Sequence, residues 1–190
     1  MGLFGAFGPR VSGEVLLGDR PYHVASPRRS IRQGLALLTN DRKETGLIPD
    51  MSVCRNITLS SMAHFSRCGW LDRKKELAAS ENHRSALAIR AHSLDQSAGS
   101  LSGGNQQKVV LAKWLETKPK VLLLDEPTRG VDVGAKHEIY ELMNRWTSKG
   151  ISILLITSEM PELLAMADRI IVLHRGRVTA EFARPDATQG

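Results

Sequence analysis

The chain has 190 residues, of which 42% are hydrophobic and 24% are charged, as is typical of a folded globular protein rather than a disordered one. No apolar run approaches the roughly 20 residues of a membrane-spanning helix, and no basic segment precedes the apolar residues at 1–10, which argues against a secretory signal. The net charge of +6 comes from scattered cations with few aromatics between them. This distribution favours solvated helix surfaces over a face that binds nucleic acid.

The first half of the chain contains two kinds of residue pattern, one typical of β-strands and one typical of helices. Residues 14–24 predict a short β-hairpin around Gly18-Asp19, and the apolar residues 35–38 predict a strand that ends in a polar run. From residue 51 to about 97 the pattern is helical and polar, with Asp72 as an expected N-cap. Cys54 and Cys68 show no metal-binding spacing, so we expect free thiols.

The second half alternates between predicted helices and short apolar strands. Helices are expected at 103–116, 135–146 and 161–167, with Gly150 closing the second. Continuous apolar strands are expected at 121–124 and 151–157, followed by a hairpin whose arms are 170–173 and 178–182. Buried strands alternating with amphipathic helices predict an α/β fold, in which helices flank a mostly parallel sheet.

The segment LSGGNQQ at 101–107 predicts an anion-binding helix start. Ser102 is a suitable N-cap, and Gly103 and Gly104 leave the first backbone N–H groups uncovered. Such a tip attracts anions, because its unpaired N–H groups and the helix dipole point outward. An ordinary capped helix after a flexible loop would have the same sequence, so this segment is ambiguous by itself.

The segment VLLLDEPT at 121–128 predicts two acids at the carboxyl edge of the sheet. Neighbouring side chains on a strand point in opposite directions, so Asp125 and Glu126 can take different roles. One can hold Mg²⁺ while the other orients a water molecule. A solvated acidic strand end is the alternative for this pair considered alone.

Together, LSGGNQQ and VLLLDEPT, with Ser102 lying 23 residues before Asp125, resemble the signature and Walker B motifs of ATP-binding-cassette ATPases. The resemblance implies ATP and Mg²⁺ as cofactors, with Asp125 at the metal and Glu126 acting on the attacking water. It also implies nucleotide contacts from a glutamine-loop position, from the signature and from a loop aspartate; these residues are Asn40, Ser102, Gly103, Gly104, Gln106 and Asp132.

The resemblance also implies a domain plan and a branch of the family. Residues 1–49 would form a β subdomain with the glutamine loop, 50–100 a helical subdomain, and 101–190 the signature, Walker B and switch region of a partial P-loop NTPase domain. TRGVDVGAK at 128–136 and ITSEM at 156–160 are similar to the second ATPase domain of bacterial importers for ribose, galactose, xylose or arabinose.

The chain departs from the family pattern at three places. None of its nine lysines follows a glycine, so a GxxxxGK[ST] phosphate loop is absent. Residues 1–8 resemble the tail of the helix that leaves this loop in the family. We therefore expect Met1 to start inside a domain. Ser158 stands at the switch-histidine position, counted here as catalytic, and cannot carry a positive charge near neutral pH. Asn40 is one methylene shorter than the usual glutamine.

The resemblance implies an energy-coupling subunit of a sugar importer at the cytoplasmic face of a bacterial membrane. Its expected partners are a second ATPase domain paired head to tail, membrane permease subunits and, indirectly, a periplasmic sugar-binding protein. Alone, without the phosphate loop, we expect it to be inactive. The alternatives are a non-catalytic paralogue or remnant that pairs with a complete ATPase and, less favoured, a soluble ATPase acting on nucleic acid or ribosomes.

Overall fold

The computed structural model describes residues 2–6, 8 and 12–187 of the chain. The α-helices are α1 (Pro27–Gln33), α2 (Val53–Thr58), α3 (Met62–Phe65), α4 (Arg73–Ala86), α5 (Gly103–Leu115), α6 (Val133–Thr147) and α7 (Met160–Met166). The strands are β1 (Leu16–Leu17), β2 (Arg20–Pro21), β3 (Leu35–Leu38), β4 (Ser66–Arg67), β5 (Trp70–Leu71), β6 (Val121–Asp125), β7 (Ser152–Ile156), β8 (Arg169–His174) and β9 (Arg177–Ala183).

A three-stranded parallel sheet lies at the centre, in the order β3-β6-β7. Its register pairs Leu38 with Leu124 and Asp125 with Ile156. All four residues of β3 are buried, and so are the three central residues of β6, because helices or loops cover both faces of these strands. The fold is therefore the expected α/β arrangement.

The two faces of the sheet belong to two apolar clusters. On one face Leu38 and Leu124 pack with α2, α5 and α6, in a core that includes Ile57, Val109 and Ile139. On the other face the cluster consists of five buried residues, Phe4, Tyr22, Leu35, Leu37 and Leu123. Strand alternation explains the division, since successive side chains of β3 and β6 point to opposite faces.

The prediction of a buried strand at 151–157 is wrong about its burial. β7 forms as expected, but its residues alternate between exposed and half-buried, and Leu154 and Ile156 are 45% and 49% exposed. The reason is topological: β7 pairs with β6 on one side and is the last strand of this sheet. The following hairpin of β8 and β9 pairs only with itself within the described residues.

The helical region contains a feature that the sequence pattern did not reveal. α4 begins at the predicted cap, where Asp72 accepts a hydrogen bond from the Lys75 N–H at 3.1 Å. Immediately before it, β4 and β5 form a small antiparallel hairpin whose Trp70 is 83% exposed. No helix in the described part of the chain has the length and apolar character needed to cross a bilayer.

The first described residues of the chain form one short helical turn. Gly2–Phe4 form a single 3-10 turn that ends at Gly5, where φ is +76°. Tyr22 fastens this turn by donating its hydroxyl to the Leu3 carbonyl at 2.8 Å. A 3-10 turn closed by a left-handed glycine is common at the end of a helix, so residues 2–5 are consistent with the expected helix tail, while Met1 and Phe7 lie outside the described residues.

Candidate nucleotide site

The carboxyl ends of the three parallel strands bring four of the predicted residues to one edge of the sheet. Asn40 follows β3, Asp125 ends β6, Glu126 comes directly after it, and Ser158 follows β7. The register aligns these ends, because Leu38 pairs with Leu124 and Asp125 with Ile156. This edge is where ligands bind in open parallel sheets. Asn40 and Ser158 are exposed, and the two acids are half-buried.

Glu126 is held in an unusual backbone conformation. Its φ is +49°, a left-handed value that costs a residue other than glycine about 1 kcal/mol or more. Its N–H donates to the Ile156 carbonyl at 2.8 Å, and its Oε1 accepts a hydrogen bond from the Ser158 N–H at 2.9 Å. The acid is therefore bound to the loop after β7 by both its backbone and its side chain.

The tip of α5, which we define as Ser102, Gly103 and Gly104, forms a second group of predicted residues. Ser102 occupies the N-cap position without capping a backbone N–H; its Oγ instead accepts a hydrogen bond from Asn105 Nδ2 at 2.9 Å. The tip borders a cavity of about 180 Å³ that also touches Asp132, the N-cap of α6. The cavity joins the N-terminal turns of two helices, where anions are favoured.

The two glutamines of the signature-like segment face inward. Gln106 Nε2 donates to the Gly99 carbonyl at 3.2 Å, and only 7% of the residue is exposed. The next residue, Gln107, donates to the Pro127 carbonyl at 2.6 Å. Gln106 therefore supports the loop before the tip, and Gln107 connects α5 to the segment after Glu126. Sequence reasoning missed Gln107, because nothing in the sequence distinguishes an inward glutamine.

Lys108 fixes the tip relative to its surroundings. Only 3% of the residue is exposed, and its Nζ donates to the Ala88 carbonyl at 3.1 Å and forms an ion pair with Glu138 of α6. The hydrogen bond from Lys108 holds the pKa of Glu138 below its usual value. Arg90, at the rim of the cavity, donates its backbone N–H to Asn105 at 2.8 Å. Sequence analysis also missed these residues.

The loop after β7 is attached to α6 and to the chain beyond Glu126. Lys136 Nζ lies 2.6 Å and 2.7 Å from the two carboxylate oxygens of Glu159, and this pairing raises the pKa of Lys136. Thr128 donates its hydroxyl to Glu162 Oε1 at 3.2 Å, and both residues are 1% exposed. Neither contact was expected from the sequence.

The predicted site residues therefore fall into two groups on different elements. The sheet edge carries Asn40, Asp125, Glu126 and Ser158, while the tip of α5 lies beside Asp132. Gln107 provides a direct link between α5 and the chain beyond Glu126, through the Pro127 carbonyl. The individual roles of these residues in nucleotide chemistry remain predictions.

Relatives of this chain are named as ribose import ATP-binding proteins. The ribose import ATP-binding protein RbsA of Bacillus licheniformis is 46% identical over 181 residues, which cover 95% of this chain and 37% of that protein. A protein of the same name from Streptococcus agalactiae is 47% identical over 178 residues, 94% of this chain and 36% of that protein. The chain thus spans little more than a third of the length of the curated relatives it matches.

Solved structures share the fold. A nucleotide-free ATP-binding cassette from an ABC transporter superposes with a TM-score of 0.80 at 22% identity, covering 95% of this chain and 73% of that one. The cbiO1 protein of Clostridium perfringens, part of an ABC transporter complex, superposes with a TM-score of 0.76 at 25% identity, with coverages of 96% and 70%. The family model described as ABC transporter matches residues 3–129, and the chain therefore belongs to the ABC transporter ATPase family.

Proposed function

We propose that this chain is an energy-coupling ATPase component of an ABC-type sugar import system, and that its signature completes an ATP site whose phosphate loop lies on another polypeptide segment. The observation that carries this proposal is the exposed tip at Ser102, where the serine side chain leaves the backbone N–H groups uncapped. Uncapped amides and the positive end of a helix favour a phosphate.

The separation of the two residue groups supports a composite site. The tip of α5 with Asp132 and the sheet edge with Glu126 are carried by different elements, and each would need a phosphate loop that the 190 residues do not contain. A solved protein of the same fold has been captured as a dimer bound to ADP and Pi. We infer that this chain pairs head to tail with a second ATPase domain, so that its tip meets a nucleotide held by the partner.

The donors at the sheet edge fit Mg²⁺. Asp125 offers a half-buried carboxylate and Asn40 an exposed amide oxygen, and Mg²⁺ in such sites takes one or two protein ligands while phosphates and waters supply the rest. The bound ion would neutralise developing phosphate charge. Glu126, held by the Ser158 N–H, would orient the attacking water, so this edge would serve the chain's own nucleotide.

The names of the relatives support a sugar cargo and a membrane permease as partner. They are ribose import proteins, so we propose that this chain works at the cytoplasmic face of a bacterial membrane, attached through permease subunits. The helical region 51–97 and the Asn40 loop would be its docking surface. A periplasmic sugar-binding protein would then be an indirect partner.

Two substitutions test the composite site in the complete, membrane-reconstituted importer that contains this chain. Ser102→Arg places a bulky side chain over the bare amides, and we expect ATP turnover to fall by at least about 100-fold, comparable to the loss of a transition-state donor. The control Lys149→Met removes an exposed cation that follows α6, outside the proposed docking surface, and should leave turnover within about twofold. Normal turnover with Ser102→Arg would exclude a role of this tip in hydrolysis.

One second candidate is a non-catalytic module that supplies only the signature to a complete ATPase. Ser158 favours it, because a serine at the switch-histidine position cannot carry a positive charge near neutral pH. Glu126→Gln separates the two candidates in the same complex. In an ATPase component that uses both groups, this change lowers turnover by about 100-fold or more. In a signature-only module turnover keeps its normal rate, while Ser102→Arg still abolishes it.

A further inference from the structure

The loop between β7 and α7, residues 157–159, is held by contacts on both sides of Ser158. On one side Glu159 forms its bidentate ion pair with Lys136 of α6, and its N–H donates to Thr157 Oγ1 at 3.1 Å. On the other side the Ile156 carbonyl accepts the Glu126 N–H. The direction of the Ser158 N–H is therefore set by its neighbours in the chain.

Glu162, in the first turn of α7, supplies the most deeply buried of these contacts. Its Oε1 accepts the Thr128 hydroxyl, and within the described part of the chain its Oε2 is buried without a hydrogen-bond partner. Burying a carboxylate with an unsatisfied oxygen costs free energy that an apolar side chain of similar size would not. Burial, and secondarily the charge of Glu162, raises the pKa of Tyr140.

The hydrogen bond from Thr128 to Glu162 closes a ring with the bond from Ser158 to Glu126. Thr128 lies two residues after Glu126, and Glu162 lies four residues after Ser158. The ring therefore contains two short chain segments and two hydrogen bonds, of 2.9 Å and 3.2 Å. The strained φ of Glu126 lies inside it, and strain of this kind persists only where surrounding contacts over-determine the conformation.

We propose that Glu162 is a positioning residue that holds the Ser158 N–H against the Glu126 carboxylate. At position 158 the backbone N–H, rather than the side chain, then directs Glu126. A serine can replace a larger switch side chain here because the group that acts belongs to the backbone. The link between this arrangement and ATP hydrolysis rests on the proposed function, whereas the arrangement itself is a property of the folded chain.

Hydrogen exchange at the Ser158 amide tests the arrangement in the full chain without nucleotide. The double variant Thr128→Val/Glu162→Met removes both partners of the buried hydrogen bond and replaces them with apolar side chains of similar size. We expect its Ser158 protection factor to fall about fivefold, since one hydrogen bond contributes about 1 kcal/mol. Glu162→Gln retains the acceptor oxygen and should stay within about twofold of wild type.

Two further variants complete the exchange experiment. Glu126→Ala removes the acceptor directly and should lower the Ser158 protection factor about tenfold even if the double variant fails to fold. Glu181→Gln breaks the exposed ion pair with Arg169 on the hairpin of β8 and β9, and should leave this amide unchanged. Wild-type protection in Glu126→Ala, or in a folded double variant, would overturn the proposal.

Turnover in the assembled importer distinguishes this proposal from the proposed function. If Glu126 acts on water, the double variant should lower kcat about tenfold with KM for ATP unchanged, and Glu162→Gln should restore most of kcat. A lost protection factor combined with normal kcat would uphold the positioning role and overturn the catalytic role of Glu126. A loss of kcat with full protection would overturn the positioning role itself.

Discussion

At Gly104 the backbone of α5 comes close to that of α6. A Cβ built at this glycine would lie 2.7 Å from the Cβ of Ala135 and 3.9 Å from Oδ2 of Asp132. Both neighbours belong to the N-terminal turn of α6, whose backbone the Asp132 side chain fixes by capping the Ala135 N–H at 2.9 Å. The glycine is therefore required by packing as well as by the open tip.

Gly104→Ala should destabilise the chain by about 1–3 kcal/mol, the usual range for overpacking. The compensating variant Gly104→Ala/Ala135→Gly removes the opposing methyl group and should recover much of that loss. Urea unfolding of the four proteins in this cycle gives the coupling free energy directly. Additive effects, with no recovery in the double variant, would show that the two Cβ positions do not compete for space.

The positive φ of Glu126 leads to a prediction about the relative stabilities of two variants at this position. Glycine adopts φ near +49° without steric cost, whereas alanine does not. Glu126→Gly should therefore be more stable than Glu126→Ala by about 1 kcal/mol, although both lose the bond to Ser158. Thermal unfolding of the two variants measures this difference, and equal stabilities would argue against backbone strain at this position.

On the scale of a whole element, α5 has contacts of consequence at both ends. Its tip borders the cavity beside Asp132, and near its C-terminus Lys113 donates to the Gly46 carbonyl at 2.5 Å. Gly46 ends the single π-helical turn Arg42–Gly46, which follows Asn40. One helix therefore connects the signature segment with the loop after β3.

Lys113 also makes the stability of this connection dependent on pH. Burial lowers its pKa from 10.5 to about 8, although the Gly46 carbonyl and the ring of Trp114, 4.8 Å away, both favour the charged form. Between these values the unfolded chain binds more protons than the folded chain does, so stability rises as the pH increases. Below about pH 8 the cost of burying the charge is fully present.

Comparison with Lys113→Met isolates this effect, because all other titrating groups are shared. Relative to the variant, wild type should gain about 2 kcal/mol between about pH 7.5 and pH 10, measured from urea unfolding at each pH. The control Lys74→Met makes the same change at an exposed position of α4. A constant difference for Lys113→Met would mean that the lysine is not buried as a charged group.

On the scale of the whole molecule, the sequence predicted those parts whose signal is local. The runs 35–38 and 121–124 are apolar throughout because both faces of β3 and β6 are covered, and Asp72 marked the start of α4 because an N-cap acts within one helical turn. Asp125 and Glu126 were expected at the sheet edge because a buried strand ends there, whereas Asn40 and Ser158 were singled out by the family resemblance. The family motifs identified the tip of α5.

The remaining features depend on partners distant in the chain. The bond from Gln107 to Pro127, and that from Thr128 to Glu162, join residues 20 and 34 positions apart, and no local pattern distinguishes these side chains from solvated ones. The exposure of β7 was unpredictable for a related reason: its apolar run resembles that of β6, and only the strand order makes one central and the other terminal.

Apolar side chains are exposed both on β7 and on the hairpin of β8 and β9 in the described part of the molecule. Leu154 on β7 is 45% exposed, and Leu173 and Val178 on the hairpin are 68% and 63% exposed. β7 also presents backbone groups along its outer edge, since its ladder runs only to β6. Exposed apolar side chains beside an unpaired edge promote association between chains.

We therefore expect the purified chain to self-associate at roughly 10–100 µM. The variant Leu154→Lys/Val178→Lys should be mainly monomeric, because charged side chains at these exposed positions oppose association. Sedimentation velocity over a concentration series measures both. Val133→Lys replaces an apolar side chain that is 84% exposed on α6, so it controls for the loss of any exposed aliphatic group and should associate like wild type. A wild-type chain that is monomeric throughout the series would mean that this surface does not drive association in water.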